Sequence, residues 1–195
     1  MKQIMLTLSL CICILFSQAQ QQAWLIVPGK SIGQVKIGWP SDSLSVVLGA
    51  SDAGDAAMMK AWNLWYGRRA DGERDSSHIL AVFTAMRDQD TQFVKQIRVT
   101  SPQFRTPQGL GAGSTIRAIR KAYPGLKLTK AYESADHKKR IDVYEDKKMG
   151  IAFETANPKN KIPLCSMVVV FDPGDSAEGY LDYHVGFDEM VPAKL

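Results

Sequence analysis

Two short stretches of this chain carry apolar residues at helical spacing, and most of the remaining apolar positions alternate. Leu44, Val47 and Leu48 share one face at i, i+3, i+4, and Ile116, Ile119, Ala122 and Tyr123 form a matching stripe later on. A glycine and a capping residue precede each stretch: Gly38 with Ser41, and Gly113 with Ser114 or Thr115. Asp42 places a negative charge in the first turn, at the helix's positive end. Gly49 stops the first helix, and Pro124 stops the second because proline has no N–H to continue the ladder. Superimposed without a gap, Val35 falls on Leu110, Gly38 on Gly113, Leu44 on Ile119, Val47 on Ala122 and Leu48 on Tyr123.

Strand-like stretches fill most of the intervening chain. Residues 23–27 are a short apolar run ended by Pro28, and residues 32–37 alternate loosely. Residues 58–66, 78–86 and 93–100 predict three strands after the first helix, with a charged hairpin loop at 68–75. Residues 126–132, 140–145, 150–155 and 164–171 predict four strands after the second. The stretch 80–83 matches 150–153, and 94–102 matches 166–174 in pattern. The expectation is an α+β fold of two repeated units, each a short helix followed by a three- or four-stranded antiparallel meander. The first unit covers residues 20–104; the second covers 105–195 and ends in an acidic tail.

The amino-terminal stretch reads as an address. Lys2 precedes thirteen uncharged residues at 4–16, and Ser17, Gln18 and Ala19 supply the small residues of a cleavage site. As a helix this run reaches about 20 Å, short of the roughly 30 Å hydrocarbon core of a bilayer. The expectation is a cleaved signal peptide over 1–19, export to the periplasm or beyond, and no transmembrane segment in the mature chain. Cys11 and Cys13 lie inside the apolar run and follow Leu10 and Ile12, not the small residue that precedes a lipid-attachment cysteine. Cys165 is then the one cysteine left, so burial and not a disulfide holds the exported protein together.

Beyond residue 19 the chain holds 23 Lys/Arg and 20 Asp/Glu, a net +3 that gives no footprint for nucleic acid. The charge is unevenly spread. Residues 105–163 carry thirteen basic against six acidic side chains, while 164–195 carry one lysine against six acids. These read as two solvated faces, or a basic module partly covered by its acidic tail, with a basic docking face for an anionic envelope component as the alternative.

The run from Pro28 through Gly33, Ile37, Gly38, Leu44 and Gly49, and the later run from Pro107 through Gly113, Thr115, Ile119 and Pro124, resemble helix-opening motifs of exported bacterial proteins. The modules are similar to those of the BamE/SmpA-type envelope proteins and the β-lactamase inhibitor protein. The glutamine-rich start after Ala19 resembles secreted proteins of the Bacteroidetes group. The resemblance implies a helix-plus-sheet unit used for protein–protein contact, without catalysis. Unlike the BamE-type pattern, this chain lacks a lipid-anchor cysteine and has two copies.

Reactive constellations are sparse. The glycine run 109–113 opens a helix, yet Gly113 stands where a phosphate loop needs lysine. His78, His137 and His184 show no zinc-binding spacing. His184 lies near Asp182 and Asp188, and Cys165 shares strand parity with Met167, Val169 and Phe171, as a core thiol does. No Gly-x-Ser-x-Gly elbow occurs. Asp172, Asp175, Glu178 and Asp182 gather carboxylates without EF-hand spacing. The chain therefore predicts no catalytic residue, no cofactor and no metal. Trp62, Trp65 and Tyr66, followed by Arg68 and Arg69, are the candidate partner-binding group, because such residues dominate interface hot spots. Trp62 and Trp65 have opposite strand parity, so both are buried only if both sheet faces are covered. The reading is an exported, non-enzymatic protein-binding module of the envelope or extracellular space. Its alternatives are a small exported hydrolase using Cys165 or His184 with a carboxylate, and an apolar-ligand binder using Met58, Met59, Trp62 and Trp65.

Overall fold

The computed structural model describes residues 23–86, 91–156, 162–177 and 190–195; the leader expected over 1–19 lies outside them. Strands β1 (Ile26–Val27), β2 (Ser31–Ile32) and β3 (Val35–Lys36) form a small antiparallel sheet. Helix α1 (Asp42–Leu48) leads into β4 (Ala53–Ala57), β5 (Lys60–Arg68), β6 (Arg74–Met86) and β7 (Gln92–Val99). Helix α2 (Ile116–Ala122) leads into β8 (Lys127–Ser134), β9 (Arg140–Asp146), β10 (Ile151–Ala156) and β11 (Leu164–Phe171), and β12 (Met190–Pro192) follows. The last nine strands make one antiparallel sheet in the order β12-β8-β9-β10-β11-β7-β6-β5-β4.

This corrects the expected α+β architecture of two helix-plus-meander units. The described residues are mostly β, 51% strand against 9% helix, and the two short helices among them pack on one large sheet. The physical reason lies at the junction of β7 and β11, where Val168 faces Val99 and Val170 faces Ile97. That pairing puts the last strand of each run in the middle of the sheet, buried on both faces. Leu44 of α1 and Ile119 of α2 then sit in the same core cluster as Val99, Val168, Ile151 and Phe153. Each helix has seven residues, too few to organise a core of its own. None of the described helices is long and apolar enough to cross a membrane.

Local expectations fare unevenly. Thr115 caps α2 by accepting a hydrogen bond from the Ala118 N–H at 3.3 Å. Ser41 does not cap α1: its backbone is already helical and its side chain makes no capping bond. The expected strand 58–66 is broken at its start, because Met58 and Met59 form a tight turn with φ of 47° and 63°. Before that turn lies β4, an Ala-Gly-Asp-Ala-Ala stretch without apolar alternation that is held by its ladder to β5. The last two residues of the expected loop 68–75 are already β6, and Arg68 still belongs to β5.

One face of the large sheet carries the helices and the small sheet. On the other, register aligns Trp62 with Phe83, Phe83 with Gln96, and Gln96 with Phe171. Beside that row Arg98 lies between Ala81 and Val169, and Glu154 lies opposite Met167. The Arg98 guanidinium is 2% exposed in a mainly apolar surround. It is held by Glu154 Oε1 at 3.2 Å, by Gln96 Oε1 at 2.6 Å and by the Ala177 carbonyl at 3.3 Å. Ala177 is gripped from its other side as well, its N–H donating to Glu145 Oε1 at 2.6 Å. Burial pulls the Arg98 pKa down, and the Glu154 charge opposes that fall.

Breaking a buried ion pair strands one charge in a low-dielectric surround. Arg98→Met should therefore destabilise by about 3–5 kcal/mol in urea unfolding. Combining it with Glu154→Leu should recover much of that loss, since apolar replacement of both partners removes the stranded charge. At the β4–β5 turn, Met58→Asn with Met59→Gly should stabilise by about 1 kcal/mol by the same measurement, because those residues accept positive φ with less strain.

Candidate functional site

The sequence-derived group lies on β5 and just beyond it, and strand alternation divides it between the two sheet faces. Trp62 is 4% exposed on the Arg98 face, its ring 5.1 Å from that of Phe83 and 5.4 Å from the Arg98 guanidinium. Its buried indole N–H has no hydrogen-bond partner among the described residues. Trp65 points to the helix-bearing face, where its indole N–H donates to the Gly49 carbonyl at 3.3 Å. Tyr66 returns to the first face, with the Arg74 guanidinium 4.9 Å from its ring.

Internal partners engage both arginines of the group. Arg68 pairs with Asp52 at 2.5 Å, and Arg69 donates to the Arg74 carbonyl at 3.2 Å. Asp52 also accepts the Tyr66 backbone N–H at 2.9 Å, which with Arg68 holds its carboxyl below the usual range. These contacts anchor the start of β4. Met58 and Met59 project from the turn, 89% and 69% exposed, and line neither of the two recesses that Trp65 borders.

Trp65 instead borders two open recesses on the helix-bearing side. The larger, about 410 Å³, is lined by Trp24, Trp65, Leu80 and Phe104, with His78 and Gln103 among its polar groups. Trp24 stands edge-on to Phe104 at 4.9 Å and stays 42% exposed. The smaller, about 310 Å³, lies among Leu44, Gly49, Ser51, Asn63 and Trp65. Sequence reasoning missed Trp24 and Phe104. They are eighty positions apart, and the bridge that pairs Leu25 with Arg105 brings them together. The one local signal was a tryptophan in a short apolar run.

The polar groups at the rim of the larger recess are tied to one another. His78 Nδ1 lies 2.9 Å from Asp75 Oδ2, and the Ser77 hydroxyl donates to Asp75 Oδ1 at 2.5 Å. The carboxylate therefore sits between serine and imidazole. A nucleophilic relay needs the imidazole in the middle, to take the hydroxyl proton. Asp75 is held below its ordinary value, first by the Ser77 hydroxyl, and so is a poor base.

The other candidate groups serve structure or lie elsewhere. Cys165 is 2% exposed and donates to the Met167 carbonyl at 3.3 Å; burial pushes its pKa up to about 12. A thiolate nucleophile requires the opposite environment. His184, Glu178, Asp182 and Asp188 lie outside the described residues. Among the described residues no three His, Cys, Asp or Glu side chains gather to hold a metal ion. In the glycine run, the Gly113 N–H donates to the Cys165 carbonyl at 2.7 Å and the Gly111 N–H to Ser114 Oγ at 3.1 Å. Those donors are committed to the fold. No protein-family model matches this chain, and no curated protein and no solved structure matches it significantly.

The Cys165 environment has a pH consequence. The native thiol keeps its proton while an unfolded one loses it near pH 8.5, so stability falls as pH rises above about 8.5. Cys165→Ala should flatten that fall between about pH 8.5 and 10, below the tyrosine range, in urea unfolding measured across pH. Native Cys165 should resist alkylation until the protein unfolds.

Proposed function

We propose that this chain is an exported, non-enzymatic binding module, which takes a protein partner of the cell envelope or extracellular space at the β4–β5 end of its sheet. The observation that carries the reading is the recess walled by Trp24, Trp65 and Phe104, with polar groups at its rim and Trp24 left half in solvent. An aromatic recess of this kind receives an apolar side chain while its rim fixes orientation. The leader-like start supports export. The buried Cys165 and the Asp75-centred geometry beside His78 support binding over hydrolysis.

Site-specific photo-crosslinking in the protein's own cells tests this. A crosslinker at Gln103, which lines the recess, should give a reproducible adduct that a crosslinker at Lys148 does not give. Trp24→Ala should weaken the adduct at least about tenfold, as loss of an anchoring aromatic does, without changing the melting curve appreciably. Mass spectrometry of the exported protein should find Gln20 at its amino terminus. Equal labelling from both positions, or an adduct indifferent to Trp24→Ala, would remove the recess as the site.

A further inference from the structure

The two edges of the large sheet are treated differently. At one end β12 is three residues long and finishes in Pro192, which has no N–H to offer a further strand. At the other end β4 runs for five exposed residues, Ala53 to Ala57, without proline, lysine or a register shift against β5. Among the described residues nothing pairs with its outer side. A bare edge of this kind invites another strand, and proteins usually blunt it.

The hairpin geometry identifies which groups face outward. A two-residue turn at Met58–Met59 makes Ala57 and Lys60 a hydrogen-bonded pair, and bonding alternates from there. Ala57, Asp55 and Ala53 thus bond inward to β5, while Gly54 and Ala56 present their N–H and C=O groups to the open edge. Gly54 belongs there sterically, since a Cβ would stand 2.7 Å from the Trp62 carbonyl. It also leaves no side chain between the edge and Asn63, at the smaller recess.

Charge and strain narrow the occupant. Asp55 is exposed and makes no ion pair among the described residues, so it favours a cation across from it. A second copy paired antiparallel about Asp55 would set two carboxylates opposite each other, which disfavours self-association in that register. The adjoining turn holds two non-glycine residues at positive φ and keeps both methionine side chains in solvent. Retained strain at an exposed, adaptable apolar tip is a feature of contact surfaces.

We propose that β4 receives an extended segment of a partner protein as an added strand, with a Lys or Arg of that segment opposite Asp55 and the Met58–Met59 tip packing beside it. This deepens the binding-module reading and rests on it. Backbone pairing supplies affinity in this mode, and alternate side chains supply selection.

Panning displayed short random peptides against the mature protein supplies the probe. Enriched peptides should lack proline in their core, carry a basic residue, and slow amide exchange at Gly54 and Ala56 on binding. Ala56→Pro removes an outward N–H without taking a hairpin bond, and should weaken binding about tenfold or more. Asp55→Lys, a surface change that leaves the edge intact, should weaken it about threefold and so gives a readout independent of the proline variant. Affinity and amide exchange unchanged by both variants would overturn the proposal. If binding then falls on Trp24→Ala, the module reading stands and only the edge is lost. No enriched peptide also overturns the edge, leaving the crosslinking experiment to judge the wider reading. A concentration-dependent dimer abolished by Ala56→Pro would assign the edge to a second copy and overturn the partner proposal.

Discussion

Arg98 is a permanent cation on a central strand of a sheet that is buried on both faces. A charge there is tolerated only if the surrounding chain satisfies it. Glu154 comes from β10, two strands away, and requires β11 to pair with β7 in register. Gln96 both accepts from Arg98 and donates to the Ala177 carbonyl at 3.1 Å. Glu145 fixes the same residue from the β9 side. One buried guanidinium thereby couples β7, β9, β10 and the segment after β11.

That coupling lies in the buried centre of the sheet, whereas β4 at its edge is exposed along its whole length. Near β4, side chains of the first strand run tie to one another: Asp52 with Arg68 and Arg74, and Trp65 with Gly49. The two recesses and the bare edge lie in this outer region, where the core thins and backbone groups meet solvent. A binding surface on a rigid support keeps its shape without a large ordering cost.

Reading the chain by periodicity located the two described helices and most of the described strands, because alternation and the helical stripe are local properties of neighbouring side chains. It misjudged what they assemble into. Ala53 to Ala57 gave no strand signal, since its pairing comes from β5 and not from its own side chains. Within the candidate site, Trp65 was legible as an unusual aromatic, but its companions Trp24 and Phe104 were not. Trp62 and Tyr66 looked like neighbours of Trp65, yet pleating sends them to the other face.

From residues alone came the apolar rhythm, the Thr115 cap, the turn at Pro124, the single cysteine beyond residue 19, and the small net charge. These depend on residue type and on spacing of a few positions. Tertiary structure decided that the strand runs share one sheet, that Arg98 is buried and paired, that Cys165 is shielded, and that β4 ends the sheet uncovered. Each of those depends on which distant strand lies alongside, a choice made by the summed burial and pairing of the whole chain rather than by any local pattern.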